Sequence, residues 1–339
     1  MKKRIRYILF LVIITPICLE LALRILGYGA YHQTEYSIVS KPNMCLEASA
    51  DLGFSLGEGV YSVSMNGAPA YTATHIDGQR ITGNSAKADS LPDVFVMGCS
   101  FTYGMGVDDS LSFPYQLQQA FSNVDIRNFG VPGFGSVQSY LQLKEEIATG
   151  NIPEMVVVNF CDFHHERNSL TPRYRNSLVL GYQRSNEAAS KALKKSGFPY
   201  IENDTIKTVD YDKLYSNWPG RETFATVHYF QSMSDKSKES NINLVENSLS
   251  IFQKIKALCE KHEVHLIVTG LTKNKDTQQF LRQLRSEGFQ TVDISLNLEN
   301  KKYNQLPYDT HPNGRAHTYF AKKLTPVLAE WINLQFPAN

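Results

Sequence analysis

Cysteine is scarce in this chain: five residues in 339, with Cys18 inside an apolar run and no Cys-x-x-Cys pair. That excludes a disulfide framework, and the spacing of a structural zinc site is absent too. Cys99 and Cys161 each follow an apolar, strand-like run and read as two small buried thiols rather than a bridge. Concentrated positive charge is missing as well. The formal net charge is +1, yet Lys2, Lys3, Arg4, Arg6 and Arg24 all lie at the amino end, and acidic residues outnumber basic ones beyond it. Without a basic stripe on the remainder, nucleic acid is excluded as a partner. Gly130-Val131-Pro132-Gly133-Phe134-Gly135 has the wrong glycine spacing for a dinucleotide turn. Nothing in the sequence asks for a cofactor or a metal.

What is present is an ordinary folded composition, 42% apolar and 20% charged, on a length that suits one large domain with insertions or two smaller ones. Residues 1–28 read as a membrane anchor or signal segment. Basic Lys2 to Arg6 precede the apolar run Tyr7 to Leu19, and counting on to Leu26 reaches membrane length, interrupted by Pro16, Glu20 and Arg24. Glu20 and Arg24 are four apart and suited to pair on one helix face. Gly27-Tyr28-Gly29 is a poor cleavage site. The expectation is an uncleaved anchor with the amino terminus in the cytoplasm and the body outside it, periplasmic or otherwise extracytoplasmic; a cleaved signal is the alternative. Residues 29–90 read as a linker and a small β-rich segment, with Asn66-Gly67 as a hairpin turn. This segment is expected to pack on a domain spanning 91–339.

From residue 94 the chain alternates. Strand 94–97 leads to helix 112–121, strand 124–127 to a helix over 137–149, and strand 155–160 follows Pro153. Helix 242–261, strand 264–271, helix 276–287, strand 291–294 and helix 313–335 complete the pattern. Such alternation predicts right-handed crossovers and a flavodoxin-like α/β/α sandwich on a parallel sheet. An insertion at about 161–240 breaks the rhythm. It holds a hairpin turning at Asn203-Asp204 and the aromatics Tyr211, Tyr215, Trp218, Phe224, Tyr229 and Phe230. Either these line a lid or sugar platform, or they fill the insertion's own core.

Ser100 follows Val94-Phe95-Val96-Met97-Gly98, where an open α/β sheet presents groups to a ligand. It is not in a Gly-x-Ser-x-Gly elbow, which argues against an α/β-hydrolase. A serine needs a base, and Asp309-Thr310-His311-Pro312, just before the last helix, supplies His311 as base and Asp309 as its orienter. The stretch Gly98-Cys99-Ser100-Phe101-Thr102-Tyr103-Gly104, the turn Asn128-Phe129-Gly130-Val131-Pro132-Gly133 and this last block together resemble the SGNH, or GDSL-like, hydrolase family over residues 91–336. The resemblance implies an oxyanion hole built from the backbone amides of Ser100 and Gly133 and a third-block Asn side chain. The chain departs from the pattern in three places. Cys99 replaces the first-block Asp, the usual Asp position before the histidine is Tyr308, and the third-block Asn position falls at Phe163. Asn168 is the leading substitute donor, with His164 and Asn159 as alternatives. The run Asp162, His164, His165, Glu166 reads as charged residues in an exposed loop rather than a metal site.

The expected activity is that of a membrane-tethered serine esterase cleaving O-acyl, above all O-acetyl, esters on carbohydrate or envelope polysaccharide. O-acyl transfer to polysaccharide and a non-catalytic role in carbohydrate binding or assembly are the alternatives. The expected partners are an acylated carbohydrate or other ester, and the membrane.

Overall fold

The structure is a computed structural model that describes residues 2–33, 36–43, 45–83, 91–183, 191 and 194–336. The chain opens with helix α1 (Lys2–Ile25). Its stretch Lys3–Ile25 is the one described helix long and apolar enough to cross a membrane, and only 6% of its most apolar window is buried against the body. Glu20 and Arg24 pair across one turn at 2.7 Å. Glu20 also accepts from the backbone N–H groups of Ala225 and Thr226, both at 2.9 Å. The helix is thereby latched to the insertion.

Six short strands follow: Ile38–Lys41 (β1), Leu46–Ser49 (β2), Gly53–Leu56 (β3), Gly59–Met65 (β4), Tyr71–Ile76 (β5) and Gln79–Arg80 (β6). Strands β4 and β5 bury alternate residues, the period of a sheet covered on one face. The letters Gly53-Phe54-Ser55-Leu56-Gly57 match a nucleophile elbow, but they run along β3, paired antiparallel with β2 and followed by another strand. No strand-to-helix turn lifts Ser55 above a sheet, so the match is fortuitous.

Next come Asp93–Gly98 (β7), Ser100–Tyr103 (α2), Phe113–Gln118 (α3), Asp125–Gly130 (β8), Ser136–Ala148 (α4) and Met155–Phe160 (β9). The insertion contributes His164–Asn168 (α5), Pro172–Gln183 (α6), the hairpin Gly197–Glu202 (β10) with Thr205–Asp210 (β11), and Ala225–Glu239 (α7). The chain closes with Leu244–Lys261 (α8), His265–Thr272 (β12), Lys275–Ser286 (α9), Gln290–Leu296 (β13), the short pair Asn304–Gln305 (β14) and Asp309–Pro312 (β15), and Gly314–Gln335 (α10).

One nine-stranded sheet runs in the order β1-β4-β5-β6-β8-β7-β9-β12-β13. Its last five strands are parallel and follow the flavodoxin-like order 2-1-3-4-5, with the topological switch between β7 and β9. Side-chain alternation sorts two cores. Val94, Val96, Met155 and Val157 meet α3 and α10 on one face, while Phe95, Met97, Val156 and Val158 meet α4, α8 and α9 on the other. The β-rich segment does not merely pack on this domain. Arg80 of β6 pairs with Asn128 of β8, which continues the sheet and covers an edge that would otherwise present unpaired backbone.

A third core joins Phe54, Tyr61 and Val63 to Tyr103, Phe134, Leu178 and Phe198, so the β-rich segment and the insertion close over the same end of the sheet. The insertion's aromatics divide. Tyr211 is buried in that core, Tyr215 donates its hydroxyl to Asp235 at 2.6 Å, and Tyr229 meets Tyr28 edge-on at 5.0 Å. Trp218, Phe224 and Phe230 stay exposed.

Candidate active site

Strand β7 ends in Gly98, and Cys99 then holds an extended backbone (φ −98°, ψ −159°) that caps α2. Ser100 is therefore the first residue of a short helix, where backbone N–H groups have no intrahelical acceptor. The helix presses on the end of β8 so closely that a Cβ at Gly130 would lie 2.3 Å from the Tyr103 nitrogen. A larger residue there would push α2 off the sheet. The loop after α2 is tied down by Arg80, which is fully buried. Its guanidinium donates to Asp109 at 2.7 Å and to the carbonyls of Tyr103, Gly104, Thr72 and Val107 at 2.6 to 3.0 Å. Taking that cation away would strand the Asp109 charge, a change of about 3–5 kcal/mol.

The second half of the site arrives from the other end of the chain. Asn313 caps α10 by accepting from the N–H groups of Arg315 and Ala316, and its own Nδ2 donates to the carbonyls of Lys302 and Asn304. That brace holds β15, and with it His311, at the carboxyl edge of β7. The His311 Nε2 and the Ser100 Oγ are 2.9 Å apart. On the opposite side of the ring, Nδ1 hydrogen-bonds the Asp309 carboxylate, which also accepts the His311 backbone N–H at 2.6 Å. A carboxylate only accepts, so Nδ1 carries the ring proton and Nε2 is left to accept from the Ser100 hydroxyl. The two-residue spacing thus suffices, because the carboxylate folds back on its own turn.

Tyr36 donates its hydroxyl to the other Asp309 oxygen at 2.6 Å. Burial pushes the Asp309 carboxyl up, but His311 and the Tyr36 hydroxyl outweigh it and hold the group at about 2. The Asp309 side chain is 5% exposed and the His311 ring 18%, so the imidazole faces outward and the carboxylate backs it. Phe101 stacks edge-on to His311 at 5.5 Å and to Phe163 at 5.4 Å. Tyr36 was not foreseen. It lies in a stretch that reads as linker, and a lone tyrosine there carries no signal.

The turn after β8 is drawn to the same edge by the Val131 N–H donating to Gly98 O at 3.1 Å. Gly133 adopts φ +90°, a conformation that glycine enters without steric cost. Its carbonyl accepts the Tyr174 hydroxyl, and its N–H bonds to none of the described residues. Asn168 is different. Its Oδ1 accepts the N–H groups of Ser136 and Val137, and its Nδ2 donates to Ser248. It is fully buried and caps α4, so its side chain is not the displaced oxyanion donor expected of it. Asn159 is bound between Met97 O and Thr269. Phe163, the position that the resemblance assigns to an Asn, has no donor on its side chain.

The segment 162–168 also departs from expectation. It folds into α5 with His164 and His165 buried. His165 bonds Ser248 at 2.8 Å, and burial and the neighbouring His164 push it down to about 4. His164 lies with Cys99 and Cys161, all three buried and with their donor atoms within 4.8 Å of one another. Burial pushes the Cys99 thiol up, but the Cys161 thiol donating to it and the His164 ring beside it hold it below the usual range. Burial pushes Cys161 up. Both cysteines are free.

No family model and no curated protein matches the chain. Among solved structures, it is similar to a lipolytic protein of the G-D-S-L family from Desulfitobacterium hafniense, at 11% identity and a TM-score of 0.39, covering 69% of this chain and 98% of that one. It is also similar to a member of the same family from Veillonella parvula, at 11% identity and a TM-score of 0.37 over 70% of this chain and 98% of that one. A carbohydrate acetylesterase family member from Sinorhizobium meliloti is similar at 11% identity and a TM-score of 0.38 over 72% of this chain and all of the other.

Proposed function

We propose that this chain is a serine esterase that cleaves O-acyl esters through an acyl-enzyme on Ser100. One observation carries the reading: the Ser100 oxygen lies 2.9 Å from the acceptor nitrogen of His311, whose other nitrogen is bonded to Asp309. In the first half-reaction Ser100 Oγ attacks the ester carbonyl carbon and its proton passes to His311 Nε2. The bond to the leaving alcohol then breaks, and His311 returns the proton to the alcohol oxygen. Water repeats the sequence on the acyl-enzyme and releases the acid. Asp309 stabilises the imidazolium that forms twice on this path. The Ser100 and Gly133 amides are the oxyanion donors, each worth about 3 kcal/mol, while Asn168 and Asn159 are engaged elsewhere. The body of the protein is held at the membrane by α1 and works outside the cytoplasm. That address makes O-acetylated carbohydrate of the envelope the first substrate class to try.

The full chain in detergent should hydrolyse p-nitrophenyl acetate, and Ser100→Ala should lower kcat/KM by about 10³-fold or more. Hydrolysis unchanged in that variant would overturn the proposal. An oligosaccharide acceptor that gains the acyl group at the expense of hydrolysis would reassign the chain as a transferase.

A further inference from the structure

At the topological switch of the sheet, next to the Ser100 turn, two thiols and an imidazole converge. Cys99 follows β7, Cys161 follows the adjacent parallel strand β9, and His164 opens α5. Their ligand atoms all lie within 4.8 Å of one another, and none of the three is accessible to solvent beyond 1%. The histidine is the telling member. An imidazole buried to this degree ordinarily makes a well-formed bond through at least one nitrogen, yet neither Nδ1 nor Nε2 of His164 has a hydrogen bond of ordinary geometry among the described residues, and the polar group that its ring addresses is the Cys99 thiol beside it. Its rim is aromatic, with Phe160 and Phe163 edge-on at 5.7 and 5.2 Å. Leaving such a group unsatisfied costs about 1–3 kcal/mol, and a metal ion accepting the ring lone pair removes that penalty.

We propose that Cys99, Cys161 and His164 bind one monovalent thiophilic metal ion, Cu⁺, in a three-coordinate S₂N site. Two thiolates and an imidazole are the ligands that soft ions select. Among the described residues no fourth His, Cys, Asp or Glu joins the trio, which disfavours the four-coordinate arrangement that structural zinc demands. A trigonal ion about 2.3 Å from each sulfur needs donor–donor edges of about 4 Å, so the donors close by less than about 1 Å. Binding replaces the two thiol protons, which leave to solvent, and the product carries one negative charge. Arg167 supplies the counter-charge: its positive field reaches both sulfurs, and its guanidinium is fixed over the Phe163 ring at 4.2 Å. Because Cys99 caps the helix that Ser100 begins, the ion would be tethered to the backbone of the proposed nucleophile. The assignment of the metal site does not depend on the esterase reading.

The test titrates reduced, detergent-solubilised full chain with Cu⁺ in competition with bicinchoninate under anaerobic conditions. One tight equivalent is expected, with X-ray absorption reporting two sulfur neighbours and one nitrogen. Cys161→Ala and His164→Leu should each weaken binding by about 100-fold or more, with circular dichroism confirming the fold of each. His164→Leu keeps the proposal falsifiable if loss of Cys161 unfolds the chain. No bound ion, an affinity unchanged in a folded variant, or uptake of Zn²⁺ in preference to Cu⁺ would overturn it.

Discussion

Two histidines stand on either side of the Cys99-Ser100 dipeptide, and their surroundings are opposite. His311 is partnered at both nitrogens, by Ser100 in front and Asp309 behind. His164 makes a hydrogen bond of ordinary geometry at neither and lies buried beside two thiols. A ring whose tautomer is fixed from one side and whose lone pair meets a hydroxyl on the other is arranged to move a proton. A ring without a well-formed hydrogen bond, beside two sulfurs, is arranged to give its lone pair to an ion. The same side chain is thus put to two uses by what the sheet brings to each nitrogen.

The largest effect that would break this contrast is on activity. His311→Ala is expected to lower esterase kcat/KM by about 10⁴-fold, read with p-nitrophenyl acetate on protein of native circular dichroism. A residual rate within tenfold of the parent would remove the distinction between the two rings. Asp309→Asn should follow, with a loss of about 10³-fold, because an amide in that place no longer fixes the Nδ1 proton. Since Asp309 titrates at about 2 in the folded protein, it stays ionised across the working range. An acid limb of the activity profile would then belong to another group.

A third histidine sharpens the comparison through stability. His317 is fully buried and accepts the Phe113 N–H at Nδ1, which only the neutral ring can do. Burial, with Arg80 and His311 adding to it, pushes its pKa down to about 3. Below about pH 6.5 the unfolded chain takes a proton that the folded chain refuses. Stability from this group is complete above that pH and falls by about 1.4 kcal/mol per unit as the pH drops towards 3. Urea unfolding at a series of pH values should show that slope, and His317→Gln should reduce it. The smallest effect concerns His164 in metal-free protein. His164→Leu should stabilise the fold by about 1 kcal/mol, because an unsatisfied buried imidazole is replaced by apolar atoms. A clear loss of stability would mean that the ring has a partner.

Much of this was legible from letters alone, for identifiable reasons. Strand 94–97 and the residue types after it could be read because a buried parallel strand must be apolar throughout and must end where backbone approaches closely. His311 could be read because the Pro312-Asn313 cap fixes where the last helix starts. The hairpin at Asn203-Asp204 was legible too, and both residues do take positive φ. The role of Asn168 was not legible, because an Asn caps a distant helix as readily as it faces a cleft, and only the fold decides. The Cys99–Cys161–His164 trio was hidden for a related reason. Cys99 lies far in sequence from Cys161 and His164, and the charged neighbours of His164 suggested an exposed loop where the chain builds a buried turn of helix. Tyr36 lies in a segment without periodicity, so its bond to Asp309 could only come from coordinates.

The most direct test of the central claim is reaction of the full chain with a serine-directed fluorophosphonate, followed by peptide mass spectrometry. Stoichiometric label on Ser100, lost in Ser100→Ala and strongly slowed in His311→Ala, is the predicted result. A folded protein that takes no label, or takes it with equal speed when His311 is gone, would contradict the proposed proton transfer from Ser100 to His311.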